Sequence, residues 1–251
     1  MNKASTAWEK SGSWYHKIVG EKGHFFHQTV VIPKSLKLLN LKNDSSLLDI
    51  ACGQGVIAGY LPKTVYYLGI DASESLIRYA QTRDKNRNHH YTVADVTKNI
   101  NFPEKDFTHA AIILALQNIS EPEKAINFAS RHLKANGKLL IILNHPSFRI
   151  PRQSSWEIDN QNKLQYRKVN RYLSPLKIPL TVQRDKIGSP IIWSFHHPLS
   201  DYSRYLFENG FLIEKIEEWI SPKTSVGKAA KQENHARGEF PLFMAVLAVK
   251  K

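Results

Sequence analysis

Apolar positions along this chain follow two periods. Leu47–Ala51, Val65–Ile70, His90–Ala94, His109–Leu116 and Lys138–Leu143 are short, largely apolar runs of strand length. Runs such as Ala110-Ala111-Ile112-Ile113-Leu114 carry no polar alternation, so they predict strands covered on both faces. Helical spacing fills the intervals. Ser73 N-caps a helix to Thr82, Val56–Leu61 opens a helix that Pro62 stops, and Glu121–Lys134 has Pro122 in its first turn with Gly137 just beyond its end. Pro198–Glu208 is a further helix, closed by Asn209-Gly210, and Phe211–Ile220 and Pro241–Lys250 supply two final strands. Strands alternating with helices predict a doubly wound, parallel α/β sheet.

Two stretches depart from this rhythm. Residues 1–30 concentrate aromatics and histidines (Trp8, Trp14, Tyr15, His16, His24, Phe25, Phe26, His27), and a short helix with Pro33 is expected over Val30–Leu41. Together they predict a helical cap over residues 1–44, preceding a main domain at 45–251. After Asn144, residues 145–197 carry Pro146, Pro151, Pro175, Pro179 and Pro190, with extended pieces at Ile178–Val182 and Ile191–Phe195. This predicts an inserted lid after the fifth strand, made of strands plus a short helix lying over the sheet.

Composition narrows the function class. The 251 residues suit one large α/β domain, and 42% hydrophobic with 23% charged residues is ordinary for a globular protein. The absence of a long apolar run excludes a spanning helix, and Met1–Thr6 has no apolar core of a secretory signal, so a cytoplasmic protein is expected. The lone Cys52 excludes an internal disulfide and a cysteine-cluster metal site, and no metal is expected. A net charge of +13 leaves nucleic acid open as a partner.

The chemistry concentrates after the first strand, where Leu48-Asp49-Ile50-Ala51-Cys52-Gly53-Gln54-Gly55 breaks into a glycine loop. Glycine lets backbone N–H groups approach a nucleotide-like ligand closely. Three acids fall at successive strand ends: Asp49, Asp71 and Asp95. Asp71 lies 18 residues beyond Gly53, near the spacing at which a carboxylate reaches ribose hydroxyls. Asp95 is placed to accept from an exocyclic amine. Gly53-Gln54-Gly55-Val56-Ile57-Ala58 also fits the G-x-G-x-x-A dinucleotide pattern. Asp49 would then lie near a pyrophosphate at unfavourable Coulomb energy, whereas it suits a ligand bearing an ammonium or sulfonium.

These residues resemble the class I S-adenosylmethionine-dependent methyltransferases. Leu48–Gly55 resembles that family's first motif, with Ala51 where glycine is usual; Gly69-Ile70-Asp71-Ala72-Ser73 resembles the second, and Ala94-Asp95-Val96 the third. Phe107–Ile119 resembles the strand leading to the reaction centre, and Leu133–Leu140 a later signature with Ala and Asn replacing Pro and Gly. The resemblance covers residues 45–145 and implies a Rossmann-like, mostly parallel seven-stranded sheet whose last strand is antiparallel. It also implies S-adenosylmethionine as cofactor, released as S-adenosylhomocysteine. Asp49 and the backbone of Gly53, Gln54 and Gly55 would hold its methionine portion, Asp71 the ribose, Ala72, Asp95 and Val96 the adenine, with Leu114 and Ala115 beneath the sulfur and Ala51 and Cys52 also touching the cofactor.

Methyl transfer from a sulfonium is an in-line displacement that needs alignment, and a general base when the acceptor is an alcohol, phenol or protonated amine. His145, directly after the fifth strand, is the expected base. Tyr15, His24, His27, Gln117, Asn118, Arg149 and His196 are the expected acceptor contacts. Leu116-Gln117-Asn118-Ile119 lacks the Asn/Asp-Pro-Pro-aromatic tetrad of adenine-N6 enzymes, and Cys52 sits in the cofactor loop, away from any role in attacking a pyrimidine ring. Methylation of oxygen or nitrogen of a small molecule is therefore expected. RNA methylation, drawing on the basic surface, and a non-catalytic cofactor-binding module are the alternatives.

Overall fold

Every apolar run expected to be a strand lies in one seven-stranded sheet of the computed structural model, which describes residues 9, 16, 19–20, 22–98, 100, 102–103, 106–181 and 189–251. Its strands are β1 (Ser46–Ile50), β2 (Tyr66–Asp71), β3 (His89–Val93), β4 (Phe107–Ile113), β5 (Leu133–Asn144), β10 (Phe211–Trp219) and β11 (Phe243–Lys250). They are ordered β10-β11-β5-β4-β1-β2-β3. β1 to β5 pair in parallel, while β11 is antiparallel to both β5 and β10, so the last strand alone runs against the others. Helices α1 (Ile32–Leu39), α2 (Glu74–Arg83), α3 (Pro122–His132), α4 (Leu199–Glu208) and α5 (Ala230–Glu239) complete the framework. Among the described residues no helix is long and apolar enough to cross a membrane.

Two cores, one on each face, explain the unbroken apolar runs. Leu48, Ile50, Ala110 and Ile112 pack toward α3 and α4, while Leu47, Ala111, Leu140 and Ile142 pack toward α1 and Trp219. Because side chains alternate along a strand, Asp49 emerges on the face of Leu47 and Tyr67, deep in the second core. Ser73 caps α2 as its residue type predicts, its hydroxyl accepting from Leu76 N.

Several elements differ from the expectation. The helix at Val56–Leu61 is a single 3-10 turn, Ile57–Tyr60. α3 stops at His132, and Asn136 rather than Gly137 makes the left-handed turn, at φ 61°. Gly137 is needed for close packing, since a Cβ there would lie 2.8 Å from the Lys134 carbonyl. The three residues from Phe107 to His109 face six from Leu133 to Lys138, a bulge that the apolar pattern conceals. The insertion has no helix among its described residues. It consists of two antiparallel hairpins, β6 (Ser154–Asp159) with β7 (Leu164–Val169), and β8 (Leu176–Thr181) with β9 (Ile191–His196). The prolines that interrupt helix and the Asp159 carboxylate, which accepts from Asn162 N at 2.9 Å to close a turn, favour that outcome.

Candidate active site

In a parallel sheet the carboxyl ends of strands open a crevice where the order reverses, here between β4 and β1. A cavity of about 780 Å³ occupies that crevice. Asp49, Asp71 and Asp95, at or just beyond the ends of the adjacent strands β1, β2 and β3, all line it. So do Ala51, Cys52, Gly53, Ala72, Val96, Leu114 and Ala115. Gln54 and Gly55 do not. The Gln54 side chain is buried and donates to the Gly20 carbonyl at 2.5 Å, tying the loop to the N-terminal segment. Gly55 packs under Tyr91, where a Cβ would come within 2.7 Å of the ring.

The three acids differ in environment. Asp49 is 3% exposed, and burial pushes its carboxyl up to about 7 although the Tyr67 hydroxyl donates to it at 2.8 Å. Gly69 faces Asp49 across the β1–β2 register, and a side chain there would collide with Cys52 Sγ and the Tyr67 hydroxyl. Asp71 accepts from Gly53 N and from Ser73 N, each at 2.8 Å. Burial nonetheless raises its pKa, offset by those two N–H groups. Asp95 is held through one oxygen, which accepts from Thr97 N and Thr97 Oγ1. Ala51 and Leu114, both in the cavity wall, adopt left-handed backbone at φ 56° and 53°, where Ala51 would be more comfortable as glycine.

Away from the three strand ends, the cavity lining is rich in aromatic residues. His24, His27, Gln117, Asn118 and Arg149 lie in this lining, and Phe26, Trp193, Phe195 and Phe243 join them. Phe26 and Phe243 meet edge to face at 5.8 Å. Sequence reasoning missed Trp193, Phe195 and Phe243 as site residues. The alternation in Ile191–His196 was the available signal, since Trp193 and Phe195 share one face of β9 while Ile192, Ser194 and His196 are buried on the other. Tyr15 lies outside the described residues.

Two histidines are placed elsewhere. His145 is buried with both ring nitrogens engaged, Nε2 with Glu218 at 2.6 Å and Nδ1 accepting from Ser147 N, and it does not line the cavity. It links the end of β5 to Glu218 on β10, outside the cavity lining in which the base was expected. His196, on the buried face of β9, bonds the Tyr172 carbonyl through Nε2 at 2.6 Å. His24 Nδ1 accepts from Phe26 N, so its neutral form carries the proton on Nε2 and presents a donor. Burial brings His27 down to about 4, assisted by neighbouring His24, and its Nδ1 is buried without a partner. Among the described residues no group of acids, histidines and cysteine could hold a metal ion.

Residues 48–141 match the family model for a methyltransferase domain. The chain is 28% identical to the ubiquinone/menaquinone biosynthesis C-methyltransferase UbiE of Pseudomonas entomophila, over 43% of this chain and 45% of that one. It is 31% identical to the demethylmenaquinone methyltransferase of Leptospira interrogans, over 40% of this chain and 43% of that one. The chain thus spans less than half the length of these curated relatives. In fold it is similar to an S-adenosylmethionine-dependent methyltransferase from Mesorhizobium loti, with a TM-score of 0.67 and 22% identity, covering 88% of this chain and 99% of that one.

Proposed function

From a chain that carries the class I S-adenosylmethionine-dependent methyltransferase fold, with a methyltransferase domain at residues 48–141, we propose an enzyme that moves a methyl group from S-adenosylmethionine to a small-molecule acceptor. The observation that carries this reading is one cavity lined both by three strand-end carboxylates and by four aromatic side chains from outside those strands. The residues fit the cofactor. Asp49 has one protein donor, Tyr67, and retains acceptor capacity for an ammonium group. Asp71 accepts from Gly53 N on one oxygen and from Ser73 N on the other, and its carboxylate keeps acceptor capacity for a ribose diol. Asp95 keeps one oxygen for an adenine amine. When bound, S-adenosylmethionine supplies an electrophilic methyl on a positively charged sulfur.

The protein's part is then to align the acceptor, exclude water and hold hydrogen bonds. Leu114 and Ala115, just beyond the end of β4, line the same cavity. The Gln117 amide is fixed by donating to the Leu114 carbonyl at 2.8 Å, and His24 offers a further donor from Nε2. Neither His24 nor His27 is a strong base in this setting, so an acceptor that arrives already ionised, or an electron-rich ring, suits the site better than an alcohol needing deprotonation. Oxygen or nitrogen is the atom we assign. Carbon is the second reading, favoured by the relatives named as C-methyltransferases.

Calorimetric titration with S-adenosylmethionine and S-adenosylhomocysteine tests the foundation. Both should bind the folded protein, and Asp71→Asn should weaken each at least tenfold, about 1.4 kcal/mol. Binding of neither ligand would overturn the proposal.

A further inference from the structure

The two halves of the cavity differ in charge. All three acids in its lining, Asp49, Asp71 and Asp95, belong to the strand-end half. The aromatic half is backed by cations instead. Arg149 lines the cavity; its Nε makes one long contact, 3.5 Å, to the Pro241 carbonyl. Its guanidinium lies 5.5 Å from the Trp156 ring centre, with the Arg167 guanidinium 5.1 Å from the same ring. Arg167 is spent on the Phe148 carbonyl and Ser154 Oγ, at 2.6 and 2.7 Å, and can only repel Arg149. Lys223 Nζ stands 5.2 Å from the ring of Phe26, and Lys177 Nζ 4.4 Å from that of Trp193. Among the described residues, none of Arg149, Lys177 and Lys223 has a carboxylate partner.

A guanidinium partly withdrawn from water with no anion is costly, and the cost is relieved when a ligand brings one. Its planar fork matches a carboxylate in two parallel hydrogen bonds. Phe26, Phe243, Trp193 and Phe195 give flat surfaces that favour a ring over a flexible chain. We propose that the acceptor is an aromatic carboxylate, its ring held among Phe26, Trp193, Phe195 and Phe243 and its carboxylate paired with Arg149. The same cations favour an ionised oxygen on that ring, which explains why the site can lack a strong base. The assignment rests on the methyl-transfer reading for turnover but not for binding.

Binding is therefore tested without the cofactor and again with saturating S-adenosylhomocysteine, using 6-hydroxy-2-naphthoate, 2-naphthol, 2-naphthyl phosphate and cyclohexanecarboxylate as probes. The hydroxynaphthoate should bind at least tenfold more tightly than naphthol and than cyclohexanecarboxylate. Arg149→Gln should abolish its advantage over naphthol, Arg149→Lys should keep part of it, and both should leave S-adenosylhomocysteine affinity within twofold. Trp193→Ala should weaken hydroxynaphthoate and naphthol alike while sparing the carboxylate preference. Equal binding of hydroxynaphthoate and naphthol by the unaltered protein overturns the proposal, as does a preference that survives Arg149→Gln. Tighter binding of naphthyl phosphate than of hydroxynaphthoate would replace the carboxylate by a phosphate ester. If the preference holds but S-adenosylhomocysteine fails to bind, the methyl-transfer reading falls and the anion site stands. If the cofactor binds and no anion preference exists, only this proposal falls.

Discussion

Asp49 combines a buried carboxyl, one hydroxyl partner and a pKa near 7, so its protonation is linked to whatever cation the cavity receives. A raised carboxyl pKa favours the protonated form in the folded protein. The ligand-free fold therefore holds this stability below about pH 4 and loses it progressively as the pH climbs through about 7. Asp49→Asn should remove that loss, raising ligand-free stability at pH 8 by ~2–4 kcal/mol in urea titrations while leaving stability at pH 4 nearly unchanged. A ligand with an ammonium group requires the carboxylate, so S-adenosylhomocysteine should bind more tightly as pH rises from 6 to 8 and release up to one proton. Calorimetry in buffers of different ionisation enthalpy reads that proton, and the Asn variant should release none. Unchanged pH dependence in the variant would remove Asp49 from the ammonium site. The position and type of this residue were legible in the sequence because the strand-loop motif is contiguous. Its depressed acidity was not, since it follows from burial and from the neighbouring Asp71 carboxylate, which outweigh the bond from the Tyr67 hydroxyl across the sheet.

Elements decide which nucleotide this crevice can take. The spacing Gly53-Gln54-Gly55-Val56-Ile57-Ala58 matches a dinucleotide fingerprint, but that motif works by directing a long helix N-terminus at a pyrophosphate. Here Ile57–Tyr60 is one 3-10 turn, and the carboxylate of Asp49 stands at the base of the loop. NADH and NADPH at millimolar concentration should leave the S-adenosylhomocysteine dissociation constant unchanged within twofold, as measured by competition calorimetry; displacement by either would contradict the reading of this turn. The helix expected at Val56–Leu61 follows from its helical spacing, whereas Gly59 and Pro62 leave only one 3-10 turn of it. α5 was missed for the opposite reason. Ala230–Glu239 is polar all round and buries only Ala236, so no apolar stripe announces it. Yet it delivers Phe240 against Phe148 and Trp156, at 5.4 and 5.5 Å, and so supports the arginine that faces the cavity.

At the scale of the whole molecule, the two halves of the site are encoded differently. The carboxylate half comes from three neighbouring strand ends within residues 49–97, so local motifs expose it. The aromatic half draws Phe26, Arg149, Trp193 and Phe243 from four distant stretches that only the closed sheet and the inserted hairpins bring together. The net charge of +13 belongs to the chain as a whole, so charge alone cannot distinguish a nucleic-acid substrate from a small anion. Salt does distinguish them. Binding to a structured RNA through scattered lysines and arginines depends on counterion release and falls roughly 10³–10⁵-fold between 50 and 200 mM salt when six to ten phosphates are engaged. A carboxylate seated among aromatic walls keeps most of its affinity over the same range, because burial limits screening. Filter binding should therefore show RNA retained at low salt and lost near physiological salt, with no methyl group transferred to it from labelled S-adenosylmethionine. Hydroxynaphthoate affinity should change less than fivefold in the same buffers. Labelled RNA at physiological salt would move the acceptor from the cavity's aromatic wall to the basic surface.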